Sequence, residues 1–399
     1  PQLWELSKSS YQKNLKFKTR SVESQSNQYE DEELPGDAKA TLKIFPSHHQ
    51  KTVLIDYEVP HKAVGFVMEH NMLDNYWDDD SHISGKVSAP NQGKNVDTPL
   101  QDVSSIVSGE VLWYINRNFC QSWDKESSEK LGEKRKALTF NKYPFNKSAG
   151  GTPLMAQILR TYDNPDIEDI KKIYLQNIKK VTSYIYTENQ FFRWPPLAEE
   201  FIKYWQNVRS KRRANMPIHW FVVTNSSDDG LGKGTYTTNK MLEKLGRQDV
   251  MPNVALTDDN GRRDALNTTL MHTPRGVPGE TVNKWKKERD DLQARFNSRE
   301  GMKERPYTKN AEEVREKEFV KKLKKELGVK VHVCTLTASN AWKEVYIHSK
   351  VTIIDDVFTV ISSANLNTRS MQVDTELGIF TENGAVARKL RKDLWKLHT

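Results

Sequence analysis

Residues 345–365 read VYIHSKVTIIDDVFTVISSAN, and residues 47–58 read SHHQKTVLIDYE. Both carry one spacing: His348, Lys350 and Asp355 in the later stretch, His49, Lys51 and Asp56 in the earlier. A chain that repeats HxKxxxxD near its two ends reads as two related halves brought together about a pseudo-twofold axis. Side chains alternate along a strand, so His348 and Lys350 share a face. Asp355 lies an odd number of residues from His348 and points away, and Asp355–Asp356 reads as a hairpin turn. Asp355 is therefore expected to hold the turn. The returning strand delivers Ser363 and Asn365 beside His348 and Lys350. In the first copy His49 and Lys51 share a face, His48 takes the other, and Asp56 closes the strand. Its return strand ends in Met68-Glu69-His70-Asn71 and offers Asn71.

Joined across a twofold-like interface, the copies give one pocket two imidazoles, two ammonium groups and two amides. Cations and amide donors suit the nonbridging oxygens of a phosphate. One neutral imidazole can attack phosphorus and the other can protonate the leaving oxygen. The lysines supply the charge, so no metal or other cofactor is expected. Nearby lysines push a histidine pKa down and a carboxylate behind the ring pushes it up. Each ring therefore calls for a carboxylate partner, and Asp102 and Glu376 stand at matching downstream positions.

The composition fits a large globular chain of 399 residues, with 36% hydrophobic and 10% aromatic side chains. A net charge of +8 favours an anionic partner without choosing among phospholipid, nucleic acid and phosphate ester. Cys120 and Cys334 cannot build a disulfide framework, no CxxC pair suggests zinc, and both read as reduced thiols. No run approaches the roughly 18 apolar residues of a membrane span. The opening PQLWELSKSS shows neither an initiator methionine nor a signal peptide, so the chain reads as a fragment.

Strand-like and helix-like segments alternate, which makes α/β the economical class. The expected fold is two pseudo-twofold related lobes, each a mixed β-sheet flanked by helices, with the active site at the lobe interface. Strands are expected at ATLKIF (40–45), KTVLID (51–56), AVGFVMEHN (63–71), SYIYTENQFF (183–192), IHWFVVT (218–224), VKVHVCTL (329–336), YIHSKVTIID (346–355) and VFTVISS (357–363). Residues 102–124 show apolar positions at helical spacing and read as one amphipathic helix. A division near 211–216 gives an N-terminal lobe, 1–215, and a C-terminal lobe, 216–399, with a charged helical insertion at about 280–327. GLGKGT, 230–235, lacks the first glycine of a phosphate loop and reads as an ordinary loop. His219 and His332 read as core or edge histidines. The basic runs RSKRR and KKLKKEL read as solvated helix faces, with docking on an anionic bilayer as the alternative.

The motifs HQKTVLID and HSKVTIIDDVFTVISSANLNTRS resemble the paired motifs of the phospholipase D superfamily. SYIYTENQFF, IVSGEVLWYINRNFCQSWD (106–124) and LRKDLWKLH (390–398) resemble the eukaryotic-like phospholipases D, and GFVMEHNMLDNYWDDDSH (65–82) resembles bacterial type VI secretion lipase effectors of that family. The resemblance covers roughly residues 40–195 and 330–399. It implies hydrolysis of glycerophospholipids, phosphatidylethanolamine among them, through a phosphohistidine. His49 would be the nucleophile and His348 the general acid and later base. Lys51, Lys350 and Asn365 would bind the phosphoryl oxygens, with Asn71 as their first-half counterpart. Asp102 would orient His49, and Glu376 would orient His348. The family's small residues before the amide are replaced here by Met68 and Glu69, and by Ser362 and Ser363. The implied partners are a phospholipid bilayer surface, a cognate immunity protein and a secretion-tip component; nucleic acid is not favoured. The implied location is secreted, in the periplasm of a target bacterium. The rival readings are a phosphatidyl transferase of the cardiolipin-synthase type, a nuclease of the same family and a non-catalytic membrane-binding module with degenerate sites.

Overall fold

The computed structural model describes residues 15–22, 46–85, 97–146, 150–163, 165–208, 216–226, 233–247, 250–274, 276–303 and 328–398. The strand expected at 40–45, the two basic runs and the insertion after Lys303 lie outside them.

In the first half, β1 (Thr52–Ile55) reaches Asp56, whose φ is +52°, and returns antiparallel as β2 (Val64–Met68). After β3 (Leu100–Gln101), β4 (Ser104–Val107) pairs antiparallel with β2. Gly109, at φ +88°, then turns the chain into helix α1 (Val111–Lys125). The single helix expected over 102–124 is thus a strand followed by a helix. The left-handed glycine ends one element and frees the chain to start the next. Leu112 and Ile115 of α1 bury against Tyr57 and Val67, and Leu377 from the far end of the chain joins this cluster.

The middle of the chain forms α2 (Leu131–Lys134), β5 (Gln157–Tyr162), β6 (Ile167–Glu168), α3 (Asp169–Asn177), β7 (Tyr184–Asn189), α4 (Pro195–Val208), β8 (Ile218–Val223), α5 (Lys233–Lys244), α6 (Pro252–Met271) and α7 (Gly279–Lys303). The second half adds β9 (Val329–Cys334), β10 (Leu336–Thr337), β11 (Glu344–Ile347), β12 (Lys350–Ile354), β13 (Phe358–Ser362), α8 (Thr368–Gln372), β14 (Glu376–Thr381) and α9 (Gly384–Lys396).

The fold is mixed α/β. Its largest sheet has eight strands in the order β6-β5-β14-β13-β12-β7-β8-β9, parallel only at β7–β8 and β8–β9. One face buries Tyr174, Ile178, Phe201 and Trp220 with α3 and α4; the other packs Tyr186 and Ile353 against Ala387 and Leu394 of α9. The meander β12-β13-β14 followed by α9 repeats β1-β2-β4 followed by α1. The division expected near 215 falls between β7 and β8, which are neighbours in this sheet. Among the described residues no helix is long and apolar enough to cross a membrane. Both cysteines are free thiols.

Two short parallel contacts tie the halves together. β11 pairs with β3, Ile347 opposite Gln101, and His48 bridges Thr375. The strand expected to run unbroken through His348 therefore changes sheets there. The His348 and Ser349 amides both donate to the Gln101 carbonyl, at 2.9 and 3.0 Å, before β12 joins β7.

Candidate active site

Those parallel contacts decide which carboxylate meets which histidine. The backbone N–H of His348 donates to the carbonyl of Gln101, so the next residue, Asp102, lies beside the ring. His348 Nδ1 donates to Asp102 Oδ2 at 2.7 Å. In the same way the N–H of His49 donates to the carbonyl of Thr375 at 2.9 Å, and Glu376 follows. His49 Nδ1 lies 2.9 Å from Glu376 Oε2 and 3.0 Å from Oε1. The pairing is crossed: Asp102 orients His348 and Glu376 orients His49. This corrects the expectation that each carboxylate serves the histidine of its own half. Donation from Nδ1 fixes the tautomer and leaves Nε2 as the basic nitrogen of each ring.

Each lysine bonds the carbonyl of the histidine two residues before it. Lys51 Nζ is 2.9 Å from His49 O, and Lys350 Nζ donates to His348 O. Lys350 is fully buried. Burial pushes the Lys51 ammonium down to about 8, against the pull of Glu376 and with help from Lys350. Burial lowers Lys350 too, opposed by Asp102, Glu69 and Glu376. His348 is held well below the ordinary imidazole value by burial and then by Lys350 and Lys51. Burial pushes Asp102 up to about 6 despite Lys350.

The remaining expected residues separate into roles. Ser363 hydroxyl donates to Glu376 and accepts from the Leu377 amide, so it fixes the carboxylate behind His49. Asn365 is buried; its backbone N–H donates to Ser370 Oγ, and its side-chain oxygen has no partner among the described residues. Asn71 is half-buried beyond the end of β2. Asp355, at φ +53°, accepts the backbone N–H groups of Thr182, Ser183 and Tyr184 and so anchors the entry to β7. Asp56 is exposed at the matching turn. His48 faces away from the ring of His49, and its Nδ1 is 2.6 Å from Thr375 Oγ1. His219 and His332 stack on neighbouring strands, Nδ1 to Nε2 3.1 Å, away from the motif residues.

Sequence reasoning missed several contributors. Tyr76 sets its ring edge-on to His348, centroids 4.8 Å apart. Glu188 is buried under Ser349, accepting from Ser349 Oγ at 2.6 Å, Gln101 Nε2 at 3.1 Å and Tyr186 OH at 2.6 Å. A charged residue inside the strand SYIYTENQFF was the available signal for Glu188; nothing local marks Tyr76. A cavity of about 210 Å³ is bounded by Asp102, Gln101, His70, Tyr76, Trp77, Asp78, Asp79 and Asp80. A larger one, about 560 Å³, lies between β8 and α9 and includes none of the motif residues. Among the described residues no three His, Cys, Asp or Glu side chains are grouped as metal ligands.

A family model described as cardiolipin synthase, PLD-like domain, matches residues 285–398. Phospholipase D alpha 2 of Brassica oleracea var. capitata is 21% identical over 391 residues, covering 82% of this chain and 44% of that protein. Phospholipase D alpha 4 of Arabidopsis thaliana is 23% identical over 405 residues, covering 88% and 49%. The chain thus spans about half the length of the curated relatives it matches. Among solved structures, NucT from Helicobacter pylori aligns with a TM-score of 0.30 and 12% identity, over 61% of this chain and 96% of that one. With the matched domain and the curated relatives beside the doubled motif, the chain is similar to members of the phospholipase D superfamily.

Proposed function

We propose that the chain cleaves glycerophospholipids between phosphate and head group, releasing phosphatidic acid and the free alcohol. The observation that carries this reading is the reciprocal pair His49–Glu376 and His348–Asp102, with Lys51 and Lys350 each bonded to the carbonyl of its motif histidine and both acting on His348. In the first step His49 Nε2 attacks phosphorus, the bond to the head-group oxygen breaks, and His348 protonates that oxygen. In the second step His348 takes a proton from water, the hydroxide attacks phosphorus, and His49 leaves. Lys51, Lys350 and Asn365 bind the nonbridging oxygens, where charge builds.

Without substrate His348 is held neutral by burial and the ammonium groups. A phosphodiester anion beside it offsets those positive charges and raises its pKa, so substrate entry creates the acid. The cavity beside Asp102 then receives the leaving group. Its rim carries Trp77, 61% exposed, and exposed Asp80. An aromatic face and a carboxylate suit a cationic amino alcohol such as ethanolamine or choline.

Phosphatidylethanolamine and phosphatidylcholine vesicles test the reading. Phosphatidic acid is expected from at least one, and none from His49→Ala. Absence from both, with single-stranded DNA cut in a His348-dependent manner, would establish the nuclease instead. Glycerol added to the assay separates hydrolysis from phosphatidyl transfer, since both alcohols and water attack the same intermediate. The role of an antibacterial effector belongs to this proposal and is supported by the resemblance of residues 65–82. Periplasmic expression in a susceptible bacterium should stop growth, and His348→Ala should not.

A further inference from the structure

Of the adjacent histidines His48 and His49, the first has no part in the pocket, and its contacts lead away from both motifs. His48 sits at an isolated parallel bridge to Thr375. Two backbone bonds make that joint: Thr375 N–H to the Ser47 carbonyl and His49 N–H to the Thr375 carbonyl, each at 2.9 Å. Side chains alternate along such a stretch, so His49 and Glu376 share one face, and His48 and Thr375 share the other.

On that other face Arg20 meets both side chains. Its Nη1 lies 3.1 Å from His48 Nδ1 and donates to Thr375 Oγ1 at 3.1 Å, while Nη2 donates to Asp163, the residue after β5. The guanidinium also lies over the Tyr162 ring, 4.5 Å from its centroid. The Arg20 side chain is only 6% exposed and that of Asp163 is fully buried, so this is a built-in contact. Its segment is fastened on either side of Arg20. The Ser21 amide and hydroxyl donate to Glu126 Oε1 at 3.0 and 2.8 Å, and Lys16 pairs with Glu129 at 3.0 Å. A guanidinium only donates, so His48 Nδ1 is an acceptor and the Thr375 hydroxyl, 2.6 Å away, donates to it. Two backbone bonds alone are a weak tie. The charge-assisted fork adds a rigid one, fixed to a buried carboxylate.

We propose that Arg20 is a positioning residue for His49: it clamps the His48–Thr375 joint from behind and so holds Glu376 against the His49 ring. His48 and Thr375 are the two surfaces that it grips. Arg20 acts through the backbone of the joint and does not touch the reacting phosphate. The kinetic half of this inference rests on the phospholipid-cleaving role of His49; the state of the His49 ring does not.

Two measurements test it. Arg20→Ala would strand the buried Asp163 carboxylate and endanger folding. Arg20→Lys keeps a cation there, but one ammonium cannot fork to Asp163 and the joint together. Thr375→Val removes the hydroxyl and loosens the joint from its other side. Nitrogen NMR of the neutral His49 ring should show Nδ1–H in the unaltered protein. In both variants, folded as judged by melting temperature, it should drift toward Nε2–H, the form favoured in water, while His348 stays as it was. A His49 ring that keeps Nδ1–H in both overturns the inference, whatever the chain hydrolyses. The second test is the first turnover of a phosphatidyl p-nitrophenyl ester. Arg20→Lys should slow it about tenfold, the lower end of the loss when the group behind a functional side chain is removed. In a Glu376→Gln background Arg20→Lys should slow it no further, because the carboxylate it positions is gone. Equal slowing in both backgrounds contradicts the positioning role. A shifted tautomer with no ester cleavage supports the clamp and refutes the phospholipid reading.

Discussion

His348 and Asp102 stand 246 residues apart in sequence, yet His348 Nδ1 donates to Asp102 Oδ2 at 2.7 Å. His49 and Glu376, 327 residues apart, repeat the relationship. Each histidine is therefore held by the other half of the molecule, and neither half contains a complete acid–base unit.

The crossing predicts which chemical step each carboxylate supports. Asp102→Asn and Glu376→Gln should each lower turnover of a natural phospholipid by up to about 10⁴-fold, the loss seen when the carboxylate orienting a catalytic histidine becomes an amide. A p-nitrophenyl ester separates them, because its leaving group needs no proton. The first turnover should stay fast in Asp102→Asn and stay slow in Glu376→Gln. A fast first turnover in Glu376→Gln and a slow one in Asp102→Asn would restore the uncrossed assignment.

Lys51 should give the proposed reaction an upper pH limit. Its ammonium is pushed down to about 8, so the charge is present below that pH and lost as pH rises through it. The rate constant kcat/KM should fall above about pH 8, by about tenfold per unit. Lys51→Gln should lower kcat/KM about 10²–10³-fold at neutral pH, the range for removing one preorganised charge-stabilising donor. A profile flat to pH 10 would mean that Lys51 does not bind the phosphate.

The two motif aspartates should behave differently. Asp355 accepts three backbone N–H groups and the hydroxyl of Thr182, and Asp56 is exposed at its own turn. Asp355→Ala leaves those donors unpaired and should destabilise the fold by about 1–3 kcal/mol. Asp56→Ala should cost only the left-handed strain of its turn, about 1 kcal/mol. Denaturant titration measures both, and equal losses would contradict the asymmetry.

Gly378 protects the carboxylate behind His49. A Cβ there would lie 2.6 Å from Ser362 Cβ and 3.1 Å from the Ile361 carbonyl, so β13 and β14 would have to separate. Gly378→Ala should destabilise by about 1–3 kcal/mol, as overpacking does. It should also slow the first turnover by displacing Glu376, two residues away. Unchanged melting and turnover would show that the strands adjust freely.

The sequence made the doubled motif legible because its chemistry is local. Period-two spacing puts His348 with Lys350, separates His48 from His49, and assigns Asp355 to its turn. The crossed pairing was not legible, since it depends on the β3–β11 pairing and the bridge from His48 to Thr375, contacts that leave no periodic trace. The same contacts break the strand expected through His348. Residues 102–124 misled because Ile106 and Val107 continue the helical spacing of α1 until Gly109 interrupts it. Tyr76 reaches His348 only through tertiary packing, and a division near 215 follows the repeat yet cuts between strands that share a sheet.

The central claim is that His49 carries the phosphoryl group while His348 handles the proton. A His348→Ala variant given a phosphatidyl p-nitrophenyl ester can form the intermediate and lacks the base to hydrolyse it. Mass spectrometry of the quenched protein should find one phosphatidyl group per chain, on His49. Modification of any other residue, or its persistence when His49 is also replaced by alanine, would contradict the account.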